Sequence, residues 1–139
     1  MLRDYPDLLK SKNAVIQSFS SALPPFLLLH GVEKSNLKNF KVIDACSAPG
    51  NKTIQLGEYI HNQNFNRSVL AFEKDPKRFN ILNRTISRFN VQKNIKTFNE
   101  NFLETNPQDK RFKNVKFVLL DPSCSGSGML SNYLRDLTN

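Results

Sequence analysis

The sequence predicts an α/β fold, a doubly wound parallel sheet of strand order 3-2-1-4. Three observations carry this reading. Short apolar runs alternate with helical patterns between residues 40 and 121. That alternation joins parallel strands by right-handed crossovers. The chemically unusual residues fall at the carboxyl ends of the runs: Asp44 to Lys52, Glu73, and Asp121 to Gly128. Sheets of this kind bind ligands at those ends, where the strand order reverses.

Taken in order, residues 1–12 are polar and read as a lead-in to one domain over residues 13–139. A strand is expected near 14–16. A helix is expected over 18–29 with a break at Pro24-Pro25, because proline removes a donor and crowds the preceding turn. Phe40-Lys41-Val42-Ile43-Asp44 is the first strand of the sheet. Residues 51–61 form a helix with Ile54, Leu56, Tyr59 and Ile60 as apolar positions. Ser68 to Glu73 is the second strand. Residues 75–89 give the clearest helix, since Phe79, Leu82, Ile86 and Phe89 make one stripe. Asn94 to Phe98 is a weaker third strand. Residues 99–114 read as a polar loop with one helical turn. Val115 to Asp121 is the fourth strand, so uniformly apolar that it reads as buried on both faces.

With 139 residues the chain suffices for one ordinary domain and not two. Lys and Arg number 20 against 12 acids, a formal charge of +8. That excess fits a polyanion, nucleic acid ahead of an anionic membrane. Seven basic residues between Lys74 and Lys96 face one acid, Asp75. They are either a phosphate-binding face or an ordinary solvated helix face. No stretch approaches the roughly 20 apolar residues of a membrane span. The N-terminus lacks a signal peptide's apolar core. Cys46 and Cys124 are too sparse for a disulfide scaffold and have no zinc spacing, so they read as reduced thiols of an intracellular protein.

The segment Asp44-Ala-Cys-Ser-Ala-Pro-Gly50-Asn-Lys52-Thr53 carries a strand into a helix through a tight turn. Gly50 is expected to let backbone approach a ligand closely. The helix N-terminus suits a carboxylate or phosphate. The run matches neither G-x-x-x-x-G-K-[ST] nor G-x-G-x-x-G, so the generic phosphate loops are excluded. An ordinary strand-to-helix turn is the plain alternative. Glu73 lies 23 residues beyond Gly50, at the next strand end. An acid there grips a ribose diol, or else caps the following helix. Arg78, one turn on, reaches the same pocket or is a solvated charge. Asp121-Pro-Ser-Cys124-Ser-Gly-Ser-Gly128 places an acid and a thiol at the active edge. Asp121 is suited to bond a base or an amine, and Cys124 to attack or assist.

Asp-Ala-Cys-Ser-Ala-Pro-Gly-Asn-Lys-Thr and Leu-Asp-Pro-Ser-Cys-Ser-Gly-Ser-Gly-Met resemble motifs I and IV of the NOP/Sun RNA cytosine methyltransferases. The versions here are closest to those of the eukaryotic branch acting on large-subunit ribosomal RNA. The resemblance spans about residues 14–130. It implies a Rossmann-like class I methyltransferase domain, S-adenosyl-L-methionine as cofactor, carbon 5 of RNA cytosine as target, and the nucleolus as location. It implies that Cys46, Ser47, Ala48, Pro49, Gly50, Asn51 and Lys52 hold the methionine part of the cofactor. Glu73 stands where the family usually has Asp on the ribose. Arg78 matches a cofactor-side Arg. Asn101 replaces an Asp near the adenine. Asp121 faces both the target base and the cofactor. Gln17-Ser18-Phe19-Ser20-Ser21 resembles the family's Gln-Asp-x-Ala-Ser segment, with Ser18 for the Asp.

The family uses two cysteines. One, in a Thr-Cys-Ser type motif after motif IV, attacks carbon 6, and the other, at the position of Cys124, assists product release. This sequence has no such downstream motif and lacks the later strands of the sheet. The resemblance therefore implies a partial domain with the fourth strand as an exposed edge and self-association through it. A cofactor-binding or RNA-binding module without catalysis is the alternative from another class. DNA cytosine methyltransferases fit less well, because Ser123 separates Pro122 from Cys124.

Overall fold

β1 (Phe40–Asp44) and β2 (Arg67–Phe72) are the two central strands of the computed structural model, which describes residues 14–34, 37–61, 67–89 and 91–123. The two pair in parallel, Val42 opposite Val69 and Asp44 opposite Ala71. β3 (Ile95–Phe98) adds to β2, and β4 (Val115–Leu119) adds to β1. The order is β3-β2-β1-β4, all parallel, as the alternating pattern requires.

Side chains alternate across the sheet with period two. Phe40, Val42, Val69 and Ala71 join one core, and Ile43, Leu70 and Phe72 join the other. The first face is covered by α1 (Phe19–Lys34), α2 (Asn51–His61) and α3 (Pro76–Phe89), which supply Leu29, Leu56, Ile60, Leu82 and Ile86. Among the described residues the second face is covered by the segment between β3 and β4. That segment makes two short 3-10 turns, Phe102–Glu104 and Lys110–Phe112, capped by Asn101 and Asp109. Phe102 and Phe112 lie 5.3 and 6.0 Å from the Phe72 ring.

Three expectations are corrected. Residues 14–18 form no strand, and the sheet has no strand beyond β3 and β4 to pair with them among the described residues. α1 runs unbroken through Pro24 and Pro25. Tertiary packing offsets the lost backbone bonds there: Pro25 and Leu29 are buried, and α1 packs on α2 and β4. β4 is not buried on both faces. Phe117 and Leu119 meet the helical core, while Val118 is 48% and Leu120 64% exposed. The covering loop sits over Phe72 and Phe98 and does not reach the end of β4. The lead-in over residues 1–12 lies outside the described residues.

Candidate active site

Hydrogen bonds continue one step past each strand and hold the carboxyl ends in rank. Ala45 N–H donates to the Leu119 carbonyl at 3.0 Å, and Glu73 N–H to that of Phe98 at 3.1 Å. Ser47 N–H reaches across to the Phe72 carbonyl at 2.9 Å.

Asp44 anchors the turn that follows β1. Its buried carboxylate accepts from Thr53 Oγ1 at 2.7 Å and from the Cys46 backbone. Burial pushes its pKa up to about 6, against the pull of those hydrogen bonds and of Lys52. Ser47 Oγ donates to the Asp44 carbonyl at 2.8 Å. The sequence reading used Asp44 only as a strand terminus; an acid closing an apolar strand was the available signal. Gly50 lies in the turn against α3. Its φ is +112°, and a Cβ there would lie 3.2 Å from Leu82 and 3.3 Å from Thr85. The positive φ requires glycine, and α3 packs closely on the turn.

Glu73 is 4% exposed. One carboxylate oxygen accepts from Asp75 N–H at 2.9 Å, and the other lies 3.5 Å from the Arg78 guanidinium. The cap of α3 is Asp75, which accepts from Arg78 N–H at 2.8 Å. Glu73 lines a cavity of about 290 Å3. Arg78 is not a merely solvated charge. It donates to the Ala48 carbonyl at 2.7 Å and reaches Ser123 Oγ at 3.4 Å, bridging α3 to both loops.

The far wall of this cavity is Glu100, Asn101, Phe102 and Leu103. Asn101 Oδ1 accepts from Leu103 N–H at 3.2 Å, and its amide donates to Glu104 at 2.8 Å. Arg111 braces the wall from behind. It grips Glu100 with two bonds of 2.8 and 2.6 Å and Asp109 at 3.0 Å. Its guanidinium lies 4.9 Å from the Phe98 ring and 5.5 Å from that of Phe72. Hydrogen bonding to Arg111 lowers the Glu100 pKa.

A second cavity, of about 300 Å3, adjoins the first; Cys46, Arg78, Pro122 and Ser123 line both. It collects Ser47, Ala48, Pro49, Asn51, Lys52 and Asp121. Lys52 Nζ lies 2.8 Å from the Asp121 carboxylate and donates to Ser21 Oγ at 2.6 Å. Gln17 donates to the same hydroxyl at 3.4 Å. Sequence reasoning placed Ser21 in a family segment but did not foresee its bond to Lys52, which spans 31 residues. Of the predicted site residues, Gly50 lines neither cavity, and Cys124 lies outside the described residues. Burial raises the Cys46 pKa, and so do Asp44 and Glu73, so this thiol is a poor nucleophile.

Comparisons with known proteins converge on one family. The family model described as 16S rRNA methyltransferase RsmB/F matches residues 33–135. The 28S rRNA (cytosine-C(5))-methyltransferase of Mus musculus is 37% identical over 97% of this chain and 27% of its own length. The 25S rRNA (cytosine-C(5))-methyltransferase NSUN5 of Arabidopsis thaliana is 41% identical over 70% of this chain and 17% of its own. The chain thus spans about a quarter or less of these relatives. The crystal structure of PH0851 superposes with a TM-score of 0.72 at 24% identity, covering 93% of this chain and 27% of that one. That likeness establishes a shared fold. The strand order, the two motifs at the strand ends and the family match agree, and the chain belongs to the RsmB/F family of rRNA methyltransferases.

Proposed function

We propose that this chain is the cofactor-binding part of an enzyme that methylates carbon 5 of cytosine in ribosomal RNA, with residues 13–139 as the N-terminal part of its catalytic domain. The observation that carries the reading is the two-chambered cleft, with buried Glu73 in one chamber and Asp121 in the other.

The residues present fit S-adenosyl-L-methionine. Glu73 offers a buried, prepositioned carboxylate to a pair of ribose hydroxyls. Asn101 and the wall braced by Arg111 border the space beyond it, for the adenine. The Cys46–Lys52 turn and the α2 N-terminus border the other chamber, for the charged amino acid end. When bound, the cofactor supplies an electrophilic methyl group. Lys52 holds the Asp121 carboxylate toward this second chamber, as an acceptor for the amino group of an unstacked cytosine. Cys124 assists product release in this reading. The RNA partner is ribosomal and the location nucleolar, and no described helix is long and apolar enough to cross a membrane. Val118 and Leu120 support self-association through β4.

Calorimetry with S-adenosyl-L-methionine tests this directly. The chain is expected to bind it, and Glu73→Ala to abolish binding. A folded sample that takes up no cofactor would sink the proposal. The second reading is a cofactor- or RNA-binding module without catalysis. RNA containing 5-azacytidine tests the role of Cys124. A covalent adduct lost in Cys124→Ser would show direct attack by Cys124 and overturn its product-release role, and no adduct fits a chain without the attacking cysteine, catalytic part or module alike.

A further inference from the structure

The excess charge of this chain is concentrated in one place. Residues 67–98 hold eight Lys and Arg against two acids, six of the chain's eight net positive charges. The two acids are already engaged. Glu73 is buried beside Arg78, and Asp75 caps α3. The structure also sorts the cations by face. Lys77, Arg84 and Arg88 are exposed and follow an i, i+7, i+11 spacing, one stripe on the side of α3 away from Leu82 and Ile86. At 1.5 Å per residue the stripe is about 16 Å long. Lys74 continues it to the lining of the first cavity. Lys96 is excluded: its neighbour Ile95 joins the helical core, so Lys96 points to the opposite face. Among the described residues no ion pair involves Lys74, Lys77 or Arg84.

We propose that this stripe holds the sugar–phosphate backbone of a single RNA strand that leads to the cleft; the identity of the strand rests on the function proposed above. An exposed row of like charges gains on meeting phosphate by releasing condensed counterions. It reads no base edges, so it fixes register along the strand and leaves sequence choice to the cleft. A membrane surface fits less well, because the stripe carries no exposed aromatic or aliphatic wedge beside its charges apart from Ile81.

The test is fluorescence anisotropy with a fluorescein-labelled, cytosine-rich single-stranded oligoribonucleotide, titrated across salt concentrations. The triple variant Lys77→Gln, Arg84→Gln, Arg88→Gln is compared with a control that removes equal charge elsewhere, Lys110→Gln, Lys113→Gln, Lys116→Gln. The stripe variant is expected to lose about 2 units of log–log salt slope and on the order of a hundredfold in affinity at low salt. The control should stay within about threefold of the wild type, as expected of surface charges outside the contact. Equal losses in the two variants overturn the proposal, as does absence of RNA binding by the folded wild type. So does stripe-dependent binding to phosphatidylserine vesicles with none to RNA. Cofactor calorimetry on the same variants keeps the two readings apart: intact cofactor binding without stripe-dependent RNA binding defeats only this inference.

Discussion

Glu73 and Asp121 both close a strand of one sheet and both lie beside a cation, yet the sheet treats them differently. Glu73 follows a central strand and is 4% exposed; Asp121 follows the edge strand and is 46% exposed. Glu73 is fixed by a backbone N–H, with Arg78 at 3.5 Å. Among the described residues Asp121 pairs with Lys52, and Lys52 is held in turn by Ser21. A central position preorganises a carboxylate through the backbone. An edge position leaves it dependent on a chain of side chains, which a substrate can rearrange. The first suits a permanent grip on a cofactor, and the second suits a group that must meet a base from solvent.

The largest expected effect breaks this comparison if it is wrong. Glu73→Ala should weaken S-adenosyl-L-methionine by more than about a hundredfold, because two charge-assisted hydrogen bonds at roughly 1.5–3 kcal/mol each are lost. Asp121→Asn should cost about fivefold at most, since an exposed pair contributes about 0–1 kcal/mol. Equal losses by calorimetry would show that burial does not separate the two roles.

Asp44, between them on β1, sharpens the point through pH. Its carboxyl is pushed up to about 6 in the folded chain, so the fold binds this proton more tightly than the unfolded chain does. Stability from this group is therefore greatest below pH 4 and is lost as pH rises through 6. Asp44→Asn removes that loss. Between pH 4 and pH 7 its stability relative to the wild type should rise by about 3 kcal/mol. Urea melts across pH check this, and a gap independent of pH would contradict it.

The smallest effect concerns the edge itself. Leu120→Lys should change stability by less than about 0.5 kcal/mol, as for other exposed positions. It should also reduce any self-association seen in sedimentation, because charge blunts an open edge. A wild type that sediments as a monomer at every concentration removes the premise.

The central strands and α3 were legible because period and burial agree there: Phe79, Leu82, Ile86 and Phe89 make one stripe with one face to cover. α1 was misread at Pro24-Pro25 because local propensity was outweighed by packing on α2, which a local pattern does not contain. β4 misled for the opposite reason. Its composition fits a doubly covered strand, while coverage depends on where the next segment lies. In the site, Glu73 and Lys52 were singled out by position relative to strand ends, and each lines a cavity. The Ser21–Lys52 bond was not, because contacts distant in sequence leave no periodic trace. The packing of Gly50 against Leu82 and Thr85 was likewise not legible, for the same reason.

The two faces of the sheet also predict how the molecule comes apart. One is buttressed by three helices; the other rests under a single irregular strap tied down by Arg111 and a few rings. Segments with few buried contacts open before the rest of a fold. Amides from Asn101 to Asn114 should therefore exchange with solvent deuterium well ahead of those in α2 and β2. The wall of the first cavity belongs to that strap, so the chamber beside Glu73 joins a part expected to open slowly to one expected to open fast. A ligand spanning both would slow exchange in the strap first, leaving a footprint on the side of the sheet opposite the helices.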